Sequence, residues 1–359
     1  MAGVWAVMLR RTLLHALTIA ATGAAAAGCG GRSPAPVLPF VTGQTAAAHA
    51  NAVLPAAAKN LYVANAYAYG SNGSITVYKP GTSTPMRTIT AGLSYPTSLA
   101  FDSAENLYVS NEFGNTISVY SPGGTTPSHV ISTAVDAPVR VAIDGSDNVY
   151  VSNLYSAAVT VYAAKTYKLI RTLTGCGTLP GSLAFDKSGN LYVADDATPP
   201  DEVCVYAGSK LTRKITTGID NPTALLFDGT GNLYVANGDN STVTVYPPGA
   251  SKPSATVKTG VASPWPIALD STGKLYVGNT FDAHVSVYAA KTLKYAYKFT
   301  SGVNYPVSMA FGSSGYLNVA DLGYNGEAGW VTEYAPGKTT YARKITVGIN
   351  GPQWVAFGP

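Results

Sequence analysis

Charge is scarce in this sequence. Asp, Glu, Lys and Arg together make up 12% of it, about half the share of an ordinary soluble domain. The surface must therefore be built largely from Thr, Ser, Asn, Gly and Tyr. No run of five or more basic residues occurs, so nucleic acid finds no electrostatic footprint. Histidine is rarer still: of the four, only His129 and His284 lie beyond residue 58, in different repeat units and at non-equivalent places. A zinc centre would lack its ligands. Neither a Gly-x-Ser-x-Gly elbow nor a Ser/His/Asp pattern is present, which removes the usual nucleophilic hydrolases. Helical periodicity is missing as well, since no 11-residue window after residue 58 repeats its apolar residues at a helical spacing.

What is abundant points one way. Aromatic residues reach 10%, and Tyr alone occurs 24 times. With so little charge, this composition predicts an all-β protein working outside the cytoplasm. The 359 residues suffice for two average domains or one large one.

The N-terminal segment 1–28 has the layout of a secretory signal: "MAGVWAVMLRR", then the uncharged apolar run "TLLHALTIAATGAAAA" (12–27). Removing it with Arg10 and Arg11 lowers the formal charge from +4 to about +2. The run is too short and Ala-rich for a membrane-spanning helix. "AAGC" (26–29) is similar to a bacterial lipobox, which implies lipidation of Cys29, although Ala26 stands where that motif usually has Leu. The alternative is an ordinary signal peptide cut nearby. In lipoproteins of two-membrane bacteria an Asp after the Cys implies inner-membrane retention. Gly30 occupies that place, so the resemblance implies outer-membrane anchoring, in the periplasm or at the surface. Residues 29–58, rich in Ala, Pro and Gly, read as a tether spanning on the order of 30 Å if flexible. His49 within it is inert in this reading.

From residue 59 to 359 one phrase recurs: "NLYVAN" (60–65), "NLYVSN" (106–111), "NVYVSN" (148–153), "NLYVAD" (190–195), "NLYVAN" (232–237), "KLYVGN" (274–279) and "YLNVAD" (316–321). The first spacing is 46 residues and the next five are 42. Two further phrases keep step, a Pro-led run such as "PTSLAFD" (96–102) and a tyrosine run such as "ITVYKP" (75–80). Four short β-rich runs per unit of this length predict propeller blades. Alternation of Ile75 and Val77 with Thr76 and Tyr78 reads as a half-buried strand. The chain enters at "NLYVAN" without an inner strand before it and ends on the inner-strand phrase "PQWVAFG" (352–358). We therefore expect a seven-bladed β-propeller of four-stranded antiparallel blades, closed by the C-terminal inner strand joining the N-terminal blade, which protects both terminal edges.

The unit P-x-x-L-A-F-D-x-x-G-N-L-Y-V-A-N-x-x-x-x-x-V-x-V-Y resembles the NHL repeat, and its "YVAN/YVSN" core resembles the YVTN repeat of bacterial surface proteins. Such propellers include binding proteins, lactonases and lyases. Zinc lyases of the NHL type imply several channel histidines, absent here. Gluconolactonase-like propellers imply a divalent ion held by an acidic residue and Asn/Asp near the axis, whereas the inner strands here offer Leu99, Ala100, Ile143, Leu225, Ala268 and Val355. The repeated Asn65, Asn111, Asn153, Asp195, Asn237, Asn279 and Asp321 could ring a cation, but repetition in every blade favours a structural bond to the following turn. The aspartates Asp102, Asp144, Asp186, Asp228 and Asp270 read the same way. No cofactor is expected, save a divalent cation under the enzymatic alternative.

Departures from the repeat carry the functional reading. The loop after the second strand grows by four residues in "AYAYGSNGS" (66–74) and "LGYNGEAGW" (322–330). Those blades are ring neighbours, so their face should gather Tyr67, Tyr69, Tyr95, Tyr305, Tyr324 and Trp330, with Trp265 and Trp354 near the channel mouth. Exposed aromatics make binding surface at little entropic cost; the alternative is that they pack between loops. We read a lipid-anchored envelope propeller that binds or scaffolds an envelope protein, glycan or small ligand. The runner-up is an envelope enzyme of lactonase or lyase type with a divalent-metal pocket at the channel mouth. Cys176 and Cys204 fall in the blade whose loop "DATPPDEV" (196–203) is two residues longer than usual. In an oxidising compartment a disulfide would staple that loop; the alternative is two separate buried thiols.

Overall fold

The computed structural model describes residues 59–66, 72–196, 200–323 and 327–359. The signal segment and tether (1–58), Cys29, Tyr67, Tyr69 and Tyr324 lie outside the described residues. Seven sheets of four antiparallel strands form the ring. We number the blades 1–7 in chain order and call their strands inner, second, third and outer. The inner strands are Pro96–Phe101, Pro138–Ile143, Pro180–Phe185, Pro222–Phe227, Pro264–Leu269 and Pro306–Phe311 in blades 2–7, and Pro352–Gly358 in blade 1. That last strand pairs antiparallel with Asn60–Asn65, from Asn60 opposite Gly358 to Asn65 opposite Pro352. Three N-terminal strands and one C-terminal strand thus make blade 1, and no sheet edge is left at the seam.

Each blade lies between two others, so both faces of its inner, second and third strands are covered. Tyr62 and Ala64 on one face are buried, and so are Leu61 and Val63 on the other. The half-buried strand expected at Ser74–Tyr78 is instead buried on both faces beyond its first residue; the Thr76 hydroxyl is covered because it serves a hydrogen bond. Only the outer strands face water, and they carry the charges that discourage edge pairing, as in Arg87, Arg171, Lys210, Arg213 and Arg343.

Three devices lock blade to blade. The third-strand tyrosines Tyr78, Tyr120, Tyr162, Tyr206, Tyr246, Tyr288 and Tyr334 each donate a hydrogen bond of 2.5–3.0 Å to a backbone carbonyl of the linker arriving from the preceding blade. Burial raises all seven phenols above their ordinary value, keeping them donors. Each clamp contributes about 1 kcal/mol. Second, the Asx closing each second strand accepts a linker N–H at 2.7–3.2 Å. The recurring partner is therefore the linker leading into the same blade, beyond the following turn that the sequence suggested. Third, second-strand tyrosines meet the next blade's inner strand edge-on: Tyr62 on Phe101, Tyr150 on Phe185, Tyr192 on Phe227 and Tyr276 on Phe311, at 4.9–5.1 Å. Such pairs add about 0.5–1.5 kcal/mol each.

Asp102, Asp144, Asp186, Asp228 and Asp270 close the hairpins between inner and second strands. Asp228 shows the pattern, its Oδ1 accepting the N–H groups of Thr230 and Asn232 at 2.9 Å. The Cys176 and Cys204 sulfurs are bonded to each other, with Cα atoms 5.7 Å apart. In other blades a third-strand hydroxyl reaches the linker, Ser118 to Gly92 and Ser286 to Gly260, both at 2.6 Å. Cys204 stands in the hydroxyl's place and Cys176 in the linker, so the disulfide replaces this bond covalently.

Candidate functional site

The pairings of Pro138 with Asn153 and of Asn153 with Ala158 bring inner-strand starts, second-strand ends and third-strand starts to one face. The connections from second to third strand start and end there. At the mouth of the ring, the third residue of each inner strand is Ser98, Arg140, Ser182, Ala224, Pro266, Ser308 or Trp354. Ser98, Ser182 and Ser308 each accept an N–H from the next blade's inner strand, from Val141, Leu225 and Val355. They are clasps between blades. Arg140 departs from this pattern: it is buried, its Nη1 donates to Val139 O at 2.7 Å and Thr97 O at 3.3 Å, and its guanidinium lies 4.5 Å from the Trp354 ring. Glu112, in the blade 2 loop, is buried within electrostatic reach of it. Burial raises the Glu112 carboxyl to about 7, against the lowering pull of Arg140. Burial lowers Arg140 in turn, with Glu112 opposing.

Of the six residues that the inner strands offer in place of metal ligands, Leu99, Ile143, Leu225, Ala268 and Val355 are buried and Ala100 is partly buried, because inner-strand side chains pack against neighbouring sheets. Among the predicted aromatics, Tyr95 (2% exposed), Tyr305 (7%) and Trp354 (4%) lie beneath the surface. Trp265 and Trp330 are partly exposed. The Trp330 indole donates to Gly302 O at 2.7 Å, and Lys344 Nζ sits 3.4 Å above its ring. Of the described members of the predicted rim, Trp265 and Trp330 meet solvent and the other three do not.

The exposed layer comes from residues the sequence reading passed over. Phe281 is 61% exposed and Tyr155 52%. Phe281 packs edge-on against Tyr305 at 5.6 Å, and the partly exposed Phe113 stacks on Tyr95 at 4.4 Å. Buried rings therefore support exposed ones. The signal was present in the sequence: the second residue after each Asx reads Tyr67, Phe113, Tyr155, Ala197, Asp239, Phe281, Gly323. Tyr155 also lies within electrostatic reach of Glu112 and Asp136. Arg140 and Glu112 were equally visible, as charges at positions that are mostly neutral in other blades.

The enzymatic alternative calls for a divalent ion. Among the described residues, three or more His, Cys, Asp or Glu side chains converge only at Cys176, Glu202 and Cys204, where both sulfurs are used by the disulfide. At the mouth, the guanidinium of Arg140 beside Glu112 opposes a cation electrostatically.

No protein-family model matches the chain, and no curated protein matches it either. Solved structures do. Virginiamycin B lyase from Staphylococcus aureus superimposes with a TM-score of 0.60 at 10% identity, covering 71% of this chain and 85% of that one. A proposed 6-phosphogluconolactonase from Bacteroides fragilis gives a TM-score of 0.68 at 18% identity, covering 84% and 98%. Another from Bacteroides uniformis gives 0.67 at 17%, covering 84% and 100%. At these identities the likeness is one of fold.

Proposed function

We propose that this chain is an exported, lipid-anchored propeller of NHL/YVTN-type repeats that binds an envelope partner through the face carrying Phe113, Tyr155 and Phe281. The observation behind this reading is the layered aromatic surface, in which exposed Phe281 rests on buried Tyr305 and Phe113 on buried Tyr95. Rings held by buried partners lose little freedom on binding, which favours recognition. The signal segment, the Cys29 lipobox and the tether support export and lipid anchoring. The test is crosslinking and pull-down from intact cell envelopes with the wild type and Phe113→Ala/Tyr155→Ala/Phe281→Ala. We expect a specific partner that the triple variant loses while its melting curve is retained. An unchanged capture profile overturns the reading.

A second reading is supported by Glu112. A buried carboxyl raised to about 7 has the proton affinity of a general acid or base, and the solved structures of this fold include a lyase and proposed lactonases. Under it, Glu112 would move a proton at the mouth, with Arg140 stabilising developing negative charge. Hydrolysis of gluconolactone lost in Glu112→Gln would support this reading; no hydrolysis by the wild type counts against it.

A further inference from the structure

The seam between blades 7 and 1 differs from every other junction on the face opposite the aromatic one. In blades 2–6 the second strand carries a tyrosine near the aspartate that ends the inner strand. Tyr108 donates to Asp102 Oδ2 at 3.0 Å, and Tyr150, Tyr234 and Tyr276 reach Asp144, Asp228 and Asp270. Blade 7 replaces both members, with Asn318 for the tyrosine and Gly312 for the aspartate. Gly312 lets Phe357 of blade 1 close in, since a Cβ there would stand 3.1 Å from its ring.

Loss of the phenol opens a cleft of about 80 Å³ between the blades, room for roughly five waters or a small anion. Asn318 lines it, is only 2% exposed, and its side-chain amide makes no hydrogen bond to any described residue. Leaving a buried amide unsatisfied costs about 1–3 kcal/mol, so its hydrogen-bonding capacity faces the cleft. Arg343, Lys59 and Lys79 also line the space against the single carboxylate of Glu333, with which Arg343 forms an ion pair. Three cations against one anion leave two positive charges uncompensated.

We infer that this cleft binds a small oxyanion, a carboxylate or phosphate group, held by the Asn318 amide and by Lys59 and Lys79. This goes beyond the proposed function and uses none of its residues. The lysines supply long-range attraction that salt screens, while Asn318 supplies the buried donor that fixes the anion in place.

The test is titration of the full chain with sodium acetate and with sodium phosphate, at ionic strength held constant with sodium chloride and read by calorimetry. We expect saturable binding of at least one anion. Acetate alone identifies a carboxylate site, phosphate alone a phosphate site, and both a general oxyanion site. Asn318→Tyr restores the residue of other blades, should fold, and should abolish binding. Lys59→Gln/Lys79→Gln should weaken it at least tenfold. Absence of saturable binding by either anion, or full binding in Asn318→Tyr with a normal melting curve, overturns the proposal.

Discussion

Blades 5 and 7 place the same backbone around different chemistry. In blade 5, Asn237 accepts the N–H of Asp220 at 3.2 Å and donates to the hydroxyls of Thr242 and Thr244 at 3.2 and 3.1 Å. In blade 7, Asp321 accepts from Asn304 and Tyr305 at 2.9 and 3.2 Å. It has no amide to offer, so its Oδ2 and the Thr332 hydroxyl are left without a hydrogen bond of ordinary geometry. Burial raises the Asp321 carboxyl to about 8, against the lowering effects of the two backbone donors, the Lys344 charge and Trp330. The comparison teaches that a repeat can keep its fold with one clamp chemically spoiled, because the tyrosine clamp and the linker bond still hold. Blade 4 solves the same Asn-to-Asp change differently, with a disulfide at Cys176–Cys204 and Lys214 on Glu202 at 2.7 Å.

The harshest test removes the seam altogether. Deleting residues 352–359 uncovers the edge of Asn60–Asn65 and the buried face of blade 1; we expect loss of cooperative unfolding and association of exposed edges, read by calorimetry and light scattering. Asn237→Asp gives blade 5 the blade 7 chemistry without its lysine, and should cost about 2–4 kcal/mol in urea unfolding near neutral pH.

The reverse change, Asp321→Asn, should stabilise blade 7 by about 1–3 kcal/mol at pH 8 and above. The sign follows from the raised pKa. The folded state favours protonated Asp321, so the wild type holds this contribution fully below the unfolded value near 4 and loses it as pH rises toward about 8. The advantage of the Asn variant should shrink toward acid pH. If the two stability curves run parallel from pH 4 to 8, Asp321 is not the titrating group.

Tyr246→Phe deletes one clamp to Thr217 O and should cost about 1 kcal/mol. Tyr334→Phe, which loses the equivalent bond to Ser301 O, should cost more, because blade 7 has fewer intact clamps. Equal losses would show that the clamps act independently. The smallest effect belongs to Phe281→Ala, a largely exposed ring: under about 0.5 kcal/mol in stability, yet, under the proposed function, a loss of partner capture.

The ring was legible in the sequence to the level of strand order. Gly358 closing against Asn60 follows from an unpaired inner-strand phrase at one end and a missing one at the other. The tyrosine phrase marked the third strand of every blade without revealing its clamp, because the acceptor is a linker carbonyl across a blade junction. The aromatic face was half legible. Tyr95 and Tyr305, expected as exposed rim aromatics, lie there as buried supports, Tyr95 with a positive φ and its ring stacked on Phe113. Arg140 stood out only as an irregular letter in an inner-strand phrase until the ring brought it against Trp354.

Self-similarity alone determined the architecture: a unit that cannot bury both faces of its own sheet must stack on copies of itself, and seven copies with split ends imply a closed ring. Only the tertiary structure decided which irregular residues meet. Arg140 and Trp354 are far apart in sequence and share no local pattern. Their contact is set by the packing of blade against blade, which no repeat phrase encodes.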